Sequence, residues 1–292
     1  MRAGRPGISI DDPNPGSKLA VMATLHHRRL HGLFSNVSML HRDICKAIKR
    51  GEEIDHISMV LTEYDQEADL YPSLFQIDHE ARKNLTLDDC RYLLTECPSD
   101  VYGLFNSRVD LARIGKVTRA FLQPSDAVVA LFHEIKKDLP AKYAFLWYRG
   151  TDKITENLIP TPDQFIDAVV AVGLKYSIPE IQQPPLVYRT DQLDFIAAMD
   201  NHFLRSIHLT TIRTSNEAAH LSLHLTGDAQ FEAEHGMSKI KYLQYLIAIT
   251  LVAAESTWYF ATNSNINSYV LLQRGHFDRQ VIFKNDRELL FR

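Results

Sequence analysis

Residues 143–148, Tyr-Ala-Phe-Leu-Trp-Tyr, form an unbroken apolar run of strand length, and the chain drops from it into Arg149, Gly150, Thr151, Asp152 and Lys153. Downstream, Thr161-Pro162-Asp163-Gln164 opens a helical pattern, with proline at the first helical position and a threonine cap before it. The polar cluster therefore sits where a strand ends and the chain turns toward a helix. In an open α/β sheet, the carboxyl ends of strands are where ligands bind. An arginine and a lysine there suit a diphosphate, because fork-shaped and point cations both hold phosphate oxygens. The same residues would also make a surface turn closed by a salt bridge.

The pattern of strand, polar tip and helix recurs. Leu186-Val187-Tyr188 reads as a strand ending in Arg189-Thr190-Asp191, before a helix from Gln192. Trp258–Ala261 is a short strand ending in Thr262-Asn263-Ser264-Asn265, before a helix from Asn267. Hydroxyls and amides at a helix N-terminus hold phosphate oxygens well, and they serve equally as simple caps. In the first half, Lys18–Leu25 reads as a strand, and His31-Gly32-Leu33-Phe34-Ser35-Asn36 as a turn. A helix then runs to about Arg50, with Leu40, Ile44, Ala47 and Ile48 on one face and Gly51 closing it. His56–Leu61 is the next strand. Strand, small-residue turn, helix, strand is a nucleotide-type α/β opening. The turn lacks the P-loop lysine and the three-glycine spacing, so Ser35 or Asn36 could instead be capping the helix.

Further signals fill in the order. Leu87–Glu96 reads as a helix, and Arg108–Leu122 mixes helix signals with charge. Pro124-Ser125-Asp126 starts a helix carrying Val128, Leu131, Phe132 and Ile135 on one face and ending near Pro140. A boundary is expected there, between residues 1–140 and 141–292. Phe165, Ile166, Val169 and Val170 are the expected inward face of helix 162–174. Ile207–Ile212 reads as a strand and Lys239–Ser256 as a strongly apolar helix. Residues 213–237 are polar and read as a loop over a cleft; His220 and His224 lack the glutamate of a zinc-protease pattern.

With 292 residues the chain is long enough for two compact domains. A formal net charge of −4 argues against a general nucleic-acid binder. The 3 cysteines, Cys45, Cys90 and Cys97, share no metal spacing and fit a reduced protein, although Cys90 and Cys97 could pair. No stretch approaches the roughly 20 apolar residues of a membrane span, and residues 1–6 have no apolar signal core. A cytoplasmic protein is expected. The absence of Gly-x-Gly-x-x-Gly disfavours a nicotinamide enzyme.

Arg149-Gly150-Thr151-Asp152-Lys153 resembles the arginine motif of the fucosyltransferase superfamily that includes α-1,6-fucosyltransferases, nodulation fucosyltransferases and protein O-fucosyltransferases. There a strand ends in His-x-Arg-Arg-x-Asp-Lys, and the first arginine holds the donor diphosphate. Arg149, Asp152 and Lys153 match that motif; Trp147 stands at the histidine and Gly150 at the second arginine. Thr190 and Asp191 resemble part of the family's Ala-Thr-Asp-Asp tip, with Arg189 in place of the alanine. Thr262 and Ser264 match its Thr-x-Ser-Ser tip, with Asn265 in place of the last serine. The Gly32-x-Phe-Ser35-Asn36 stretch resembles the family's N-terminal loop, which faces the interdomain cleft. Ile249 falls near the point where longer fucosyltransferases carry an aspartate.

The resemblance implies an α/β GT-B fold, two Rossmann-like domains facing across a cleft, with the nucleotide sugar held by residues 141–292 and the acceptor side formed by 1–140. It implies direct, inverting transfer of a sugar to a hydroxyl on a glycan or glycoprotein, from GDP-fucose or another nucleotide sugar. Arg149 would neutralise the leaving diphosphate, Glu156 would be the base, and Asp152 and Lys153 would hold the loop or position the reactants. Gly32, Ser35, Asn36, Trp147, Thr190, Asp191, Thr262, Asn263, Ser264 and Asn265 would line the donor. No Asp-x-Asp occurs in the chain, so neither metal nor cofactor is expected, and the lack of a membrane span suggests a bacterial or viral-type enzyme. A UDP-pentose donor, or a non-catalytic nucleotide-sugar or glycan binder, are the alternatives.

Overall fold

The computed structural model describes residues 21–29, 32–61, 68–96, 109–149, 159–182, 185–209, 228–283 and 289–291. Strands β1 (Val21–Arg29) and β2 (Glu52–Leu61) pair in parallel and are joined by the helix Leu33–Lys49. Two-residue strands β3 (Phe75–Gln76) and β4 (Gln123–Pro124) pair antiparallel. The second half contributes β5 (Ala144–Tyr148), β6 (Leu186–Thr190), β7 (Ser206–His208), β8 (Trp258–Thr262), β9 (Gln280–Phe283) and β10 (Leu289–Phe291). They form one sheet in the order β10-β9-β8-β5-β6-β7, parallel except at the β10 edge.

Every residue of β5 is buried, because helices cover both faces of the sheet. Ala144, Leu146 and Tyr148 point to one side, where they meet Phe165, Ile166 and Val169 of the helix Pro162–Lys175 and Phe195 of the helix Leu193–His202. Phe145 and Trp147 point to the other, toward the helices Lys239–Ala254 and Asn265–Arg274. That second core continues into the first half of the chain, through Leu33, Phe34, Val117 and Phe121. The boundary expected near residue 140 falls just before β5, and the apolar core runs across it.

Several element boundaries differ from expectation. β1 continues to Arg29 although its last residues are polar; buried His27 is tolerated because both ring nitrogens have partners. The first helix starts at Leu33, so Ser35 and Asn36 lie inside its first turn, and Gly32 is the cap, without a side-chain bond. The helix expected from Asn267 starts at Asn265, because Asn267 is held inside the turn by two buried bonds. β7 is shorter than Ile207–Ile212, and residues 210–227, with His220 and His224, lie outside the described residues. Val172 rather than Val170 completes the inward face of helix Pro162–Lys175.

Gly51 closes the first helix in the left-handed region, φ +81°. Thr161 and Gln164 make the reciprocal capping box that the Thr-Pro-Asp-Gln signal implies. Cys45 and Cys90 are buried free thiols, and Cys97 lies outside the described residues. Among the described residues, no helix is long and apolar enough to cross a membrane.

Candidate functional site

The order of the parallel strands decides where a site can form. The chain runs from β5 outward to β6 and β7, then returns to the other side of β5 to lay down β8 and β9. Between β5 and β8 the crossovers leave in opposite directions. That opens a crevice at the strands' carboxyl ends, the usual ligand position in a doubly wound sheet. Arg149 follows β5, and Thr262 ends β8. The two expected motifs, far apart in sequence, are therefore brought together by topology.

Their junction is specific. The Arg149 backbone N–H donates to Thr262 Oγ1 at 2.9 Å, and the Thr262 hydroxyl donates back to the Arg149 carbonyl at 3.1 Å. Thr262 is buried; its hydroxyl, expected to line the donor, clasps the chain where Arg149 leaves the sheet. Beneath it, Asn267 Nδ2 donates to the Thr262 carbonyl at 2.7 Å, and the Tyr259 hydroxyl donates to Asn267 Oδ1 at 2.6 Å. Tyr259 is fully buried, and burial drives its phenol well above the ordinary range, so it stays a neutral donor. Asn267 was not among the expected site residues. Its only sequence signal is an amide in a largely apolar helical stretch.

Next to this scaffold, Ser264 caps the helix Asn265–Arg274 in extended conformation, and its side chain makes no capping bond. Its Oγ is completely buried and finds no hydrogen-bond partner among the described residues, and the same holds for Asn263 Oδ1. Buried polar atoms are nearly always bonded, and a hydroxyl at a helix N-terminus has the chemistry to donate to an acceptor such as a phosphate oxygen. Asn265 Nδ2 donates to Ser35 Oγ in the first turn of the Leu33–Lys49 helix. The rings of Phe34 and Tyr269 pack at 5.7 Å in the same junction. Ser35 thus reaches the tip of β8, and Gly32 and Asn36 belong to the same helix turn. Asn36 is buried and donates to the Gly32 carbonyl at 3.2 Å while accepting from His27.

The neighbouring strand tip is built differently. Thr190 is buried, and its hydroxyl accepts from the Gln192 amide at 3.1 Å, turning the chain into the next helix. Arg189 lies opposite Trp147 in the ladder and is only 4% exposed, so a second cation ends the strand beside β5. On β7, His208 stacks on Tyr188 at 4.8 Å. Burial, then the Arg189 charge, lower its imidazole to about 4 and keep it neutral. Trp147, expected at the donor, packs against Phe145 at 5.7 Å inside the core. Burial and then the Asp191 carboxylate raise the Tyr148 phenol, which donates to the Pro160 carbonyl at 2.8 Å. Gly150, Asp152, Lys153 and Glu156 lie outside the described residues.

Searches with the sequence find no matching family model and no matching curated protein. Comparison of the chain path does find similar solved structures. A crystal structure of NodZ alpha-1,6-fucosyltransferase soaked with GDP-fucose superposes with a TM-score of 0.53 over 91% of this chain and 97% of that one, at 11% identity. Fucosyltransferase NodZ from Bradyrhizobium gives 0.51, 91%, 97% and 10%. NodZ alpha-1,6-fucosyltransferase co-crystallized with GDP gives 0.51, 91%, 96% and 10%. The fold is fucosyltransferase-like. An α/β fold with parallel sheets and these neighbours fits the expected GT-B class, and the likeness lies in the course of the backbone, not in shared side chains.

Proposed function

We propose that the chain is a GT-B glycosyltransferase that takes a sugar from a GDP-linked donor, fucose by the resemblance, and transfers it with inversion to a hydroxyl of a glycan. Residues 141–292 would hold the donor and residues 1–140 would face the acceptor across a cleft. The observation that carries the reading is the junction at the β5–β8 switch point. A cationic strand tip, an uncapped helix N-terminus and an orphan buried hydroxyl at Ser264 meet there, on a fold whose solved relatives include GDP and GDP-fucose complexes.

The chemistry then has two demands. As the acceptor oxygen bonds to the anomeric carbon, the bond from that carbon to the diphosphate breaks, and negative charge gathers on the phosphate oxygens. Arg149 and the Ser264 helix end would meet that charge, a preorganised arrangement that commonly dominates such catalysis. The acceptor's proton would pass to Glu156, and Asp152 with Lys153 would order the same loop. With an arginine serving the diphosphate and no Asp-x-Asp in the chain, turnover would need no divalent metal.

A second reading concerns the base alone. Ile249, near the family's aspartate, is fully buried in the apolar core, so no carboxylate stands there, and a donor such as a UDP-pentose would be held without one. Metal-free thermal-shift and transfer assays with GDP, UDP, GDP-fucose and UDP-sugars separate the two, since a ligand at 100 times its Kd stabilises by about 2.7 kcal/mol. Arg149→Ala should lower kcat by about 10²–10³-fold. Nucleotide-dependent stabilisation with no product from wild type would instead identify a non-catalytic binder, and an obligatory metal would overturn the arginine's role.

A further inference from the structure

The tip of β8 is held from inside the core by a buried amide whose orientation is dictated at both ends. Tyr259, Thr262 and Asn267 are all at most 1% exposed. The Thr262 carbonyl can only accept, so Asn267 must turn Nδ2 toward it, at 2.7 Å, and Oδ1 toward the Tyr259 hydroxyl, at 2.6 Å. An amide oxygen also only accepts, so the hydroxyl is the donor. Thr262 in turn commits its own hydroxyl to Arg149, accepting from the backbone N–H and donating to the carbonyl. Every link from Tyr259 to Arg149 therefore has a fixed direction. The Asn267 backbone N–H also donates to the Ser264 carbonyl at 3.1 Å. One residue thus grips both ends of Thr262-Asn263-Ser264, the first through its side chain and the last through its backbone. We propose that Asn267, oriented by Tyr259, is the positioning residue that sets the spacing between Arg149 and Ser264, the two groups assigned to the donor diphosphate.

The setting makes that grip stiff. The Tyr259 ring packs against Phe145 at 6.4 Å, and Ile266 and Val270 flank Asn267 on its own helix, all of them buried. In so dry a place an amide oxygen that loses its donor has no water to turn to, and an unmade bond there is costly. The segment is braced on its outer side as well, since the Asn263 N–H donates to the Phe283 carbonyl at 2.9 Å and keeps it on β9. Removing the Tyr259 hydroxyl therefore leaves the tip folded and takes away the contact that fixes the Asn267 amide. The disturbance passes to the Thr262 carbonyl, and from the Thr262 hydroxyl to the place where Arg149 leaves β5. Tyr259 and Asn267 act through the tip, from beneath it, and a small displacement of a charged group costs more in rate than in stability.

The proposal rests on the nucleotide-diphosphate reading for its ligand readout only. The test compares Tyr259→Phe with Tyr71→Phe, which removes another buried hydroxyl, one that donates to the Phe121 carbonyl at 2.6 Å in the first half of the chain. Amide hydrogen exchange comes first and needs no ligand. Exchange of the Arg149 N–H should quicken about fivefold in Tyr259→Phe, the weight of one net hydrogen bond, and stay unchanged in Tyr71→Phe. An Arg149 amide that ignores Tyr259→Phe overturns the proposal. GDP affinity by calorimetry comes second, in the same variants with and without Arg149→Ala. Tyr259→Phe should weaken GDP about fivefold in the wild-type background and have no further effect once Arg149 is alanine, while Tyr71→Phe leaves affinity unchanged in both. Equal losses with and without the arginine would show that the hydroxyl does not act through Arg149, and overturn the positioning role. Should GDP, UDP and their sugars all fail to bind the wild type, the donor reading fails instead, and Arg149 amide exchange alone decides whether Tyr259 and Asn267 position the tip.

Discussion

Replacing Thr262 by valine removes one hydroxyl and almost nothing else. The side chain is buried and the shapes match, so no cavity is opened. What disappears is a reciprocal pair of hydrogen bonds, 2.9 Å from the Arg149 amide and 3.1 Å to its carbonyl. Each is worth about 1 kcal/mol net, and an unpaired buried backbone group costs about 1–3 kcal/mol. Arg149 is half-buried, so water relieves part of that penalty. The expected loss is about 2 kcal/mol, a fall in Tm of roughly 4 °C for a chain this size. Thr262→Ser keeps the hydroxyl and should lose less than half as much. Urea unfolding of the three proteins side by side measures the difference. Because the clasp sets where Arg149 leaves β5, the proposed sugar transfer should drop by about 10–100-fold in the valine variant, while serine stays near wild type. Equal stability of valine and threonine forms would show that the clasp does not hold the strand tip, and the site's construction would need another account.

Other expectations follow from single contacts. Ser264→Ala removes a hydroxyl with no partner among the described residues, so unfolding stability should be unchanged or slightly higher, while nucleotide affinity drops by about 10–100-fold, the weight of a hydrogen bond to a charged oxygen; a loss of stability without a loss of affinity contradicts the assignment. Gly173→Ala places a Cβ 2.6 Å from Ile181 Cγ2 and 2.9 Å from its Cβ. The clash should outweigh the gain in helix propensity and destabilise by about 1–2 kcal/mol in denaturant melts. At Asp89, burial pushes the carboxyl up, but the Thr86 hydroxyl and amide and the Lys116 and Arg113 cations outweigh it and hold the group at about 2. A folded-state value below the unfolded one gives stability that is complete above pH 4 and lost as pH falls from about 4 to 2. Acid unfolding of Asp89→Asn should therefore lack that limb of the wild-type curve.

Much of this architecture was legible in one dimension. An apolar hexapeptide running into Arg149 reads as a covered strand with a polar tip, and Thr161-Pro162 as a helix start, because burial and capping are local demands. The recurrence of that pattern at Thr190 and at Thr262–Asn265 marked the other strand ends for the same reason. Periodicity, however, says nothing about which strands become neighbours. The placement of β8 beside β5, rather than at an edge, is a long-range choice of packing, and it alone turns Arg149 and Thr262 into partners. Side-chain duties were likewise beyond the sequence. Trp147 is core because β5 is covered on that face, and Thr262 faces backbone because Arg149 emerges next to it. Asn267, Tyr259 and His27 carry no motif at all. Their roles exist only where folding places a buried donor against a buried acceptor, and that matching of polar groups away from water is decided by tertiary structure.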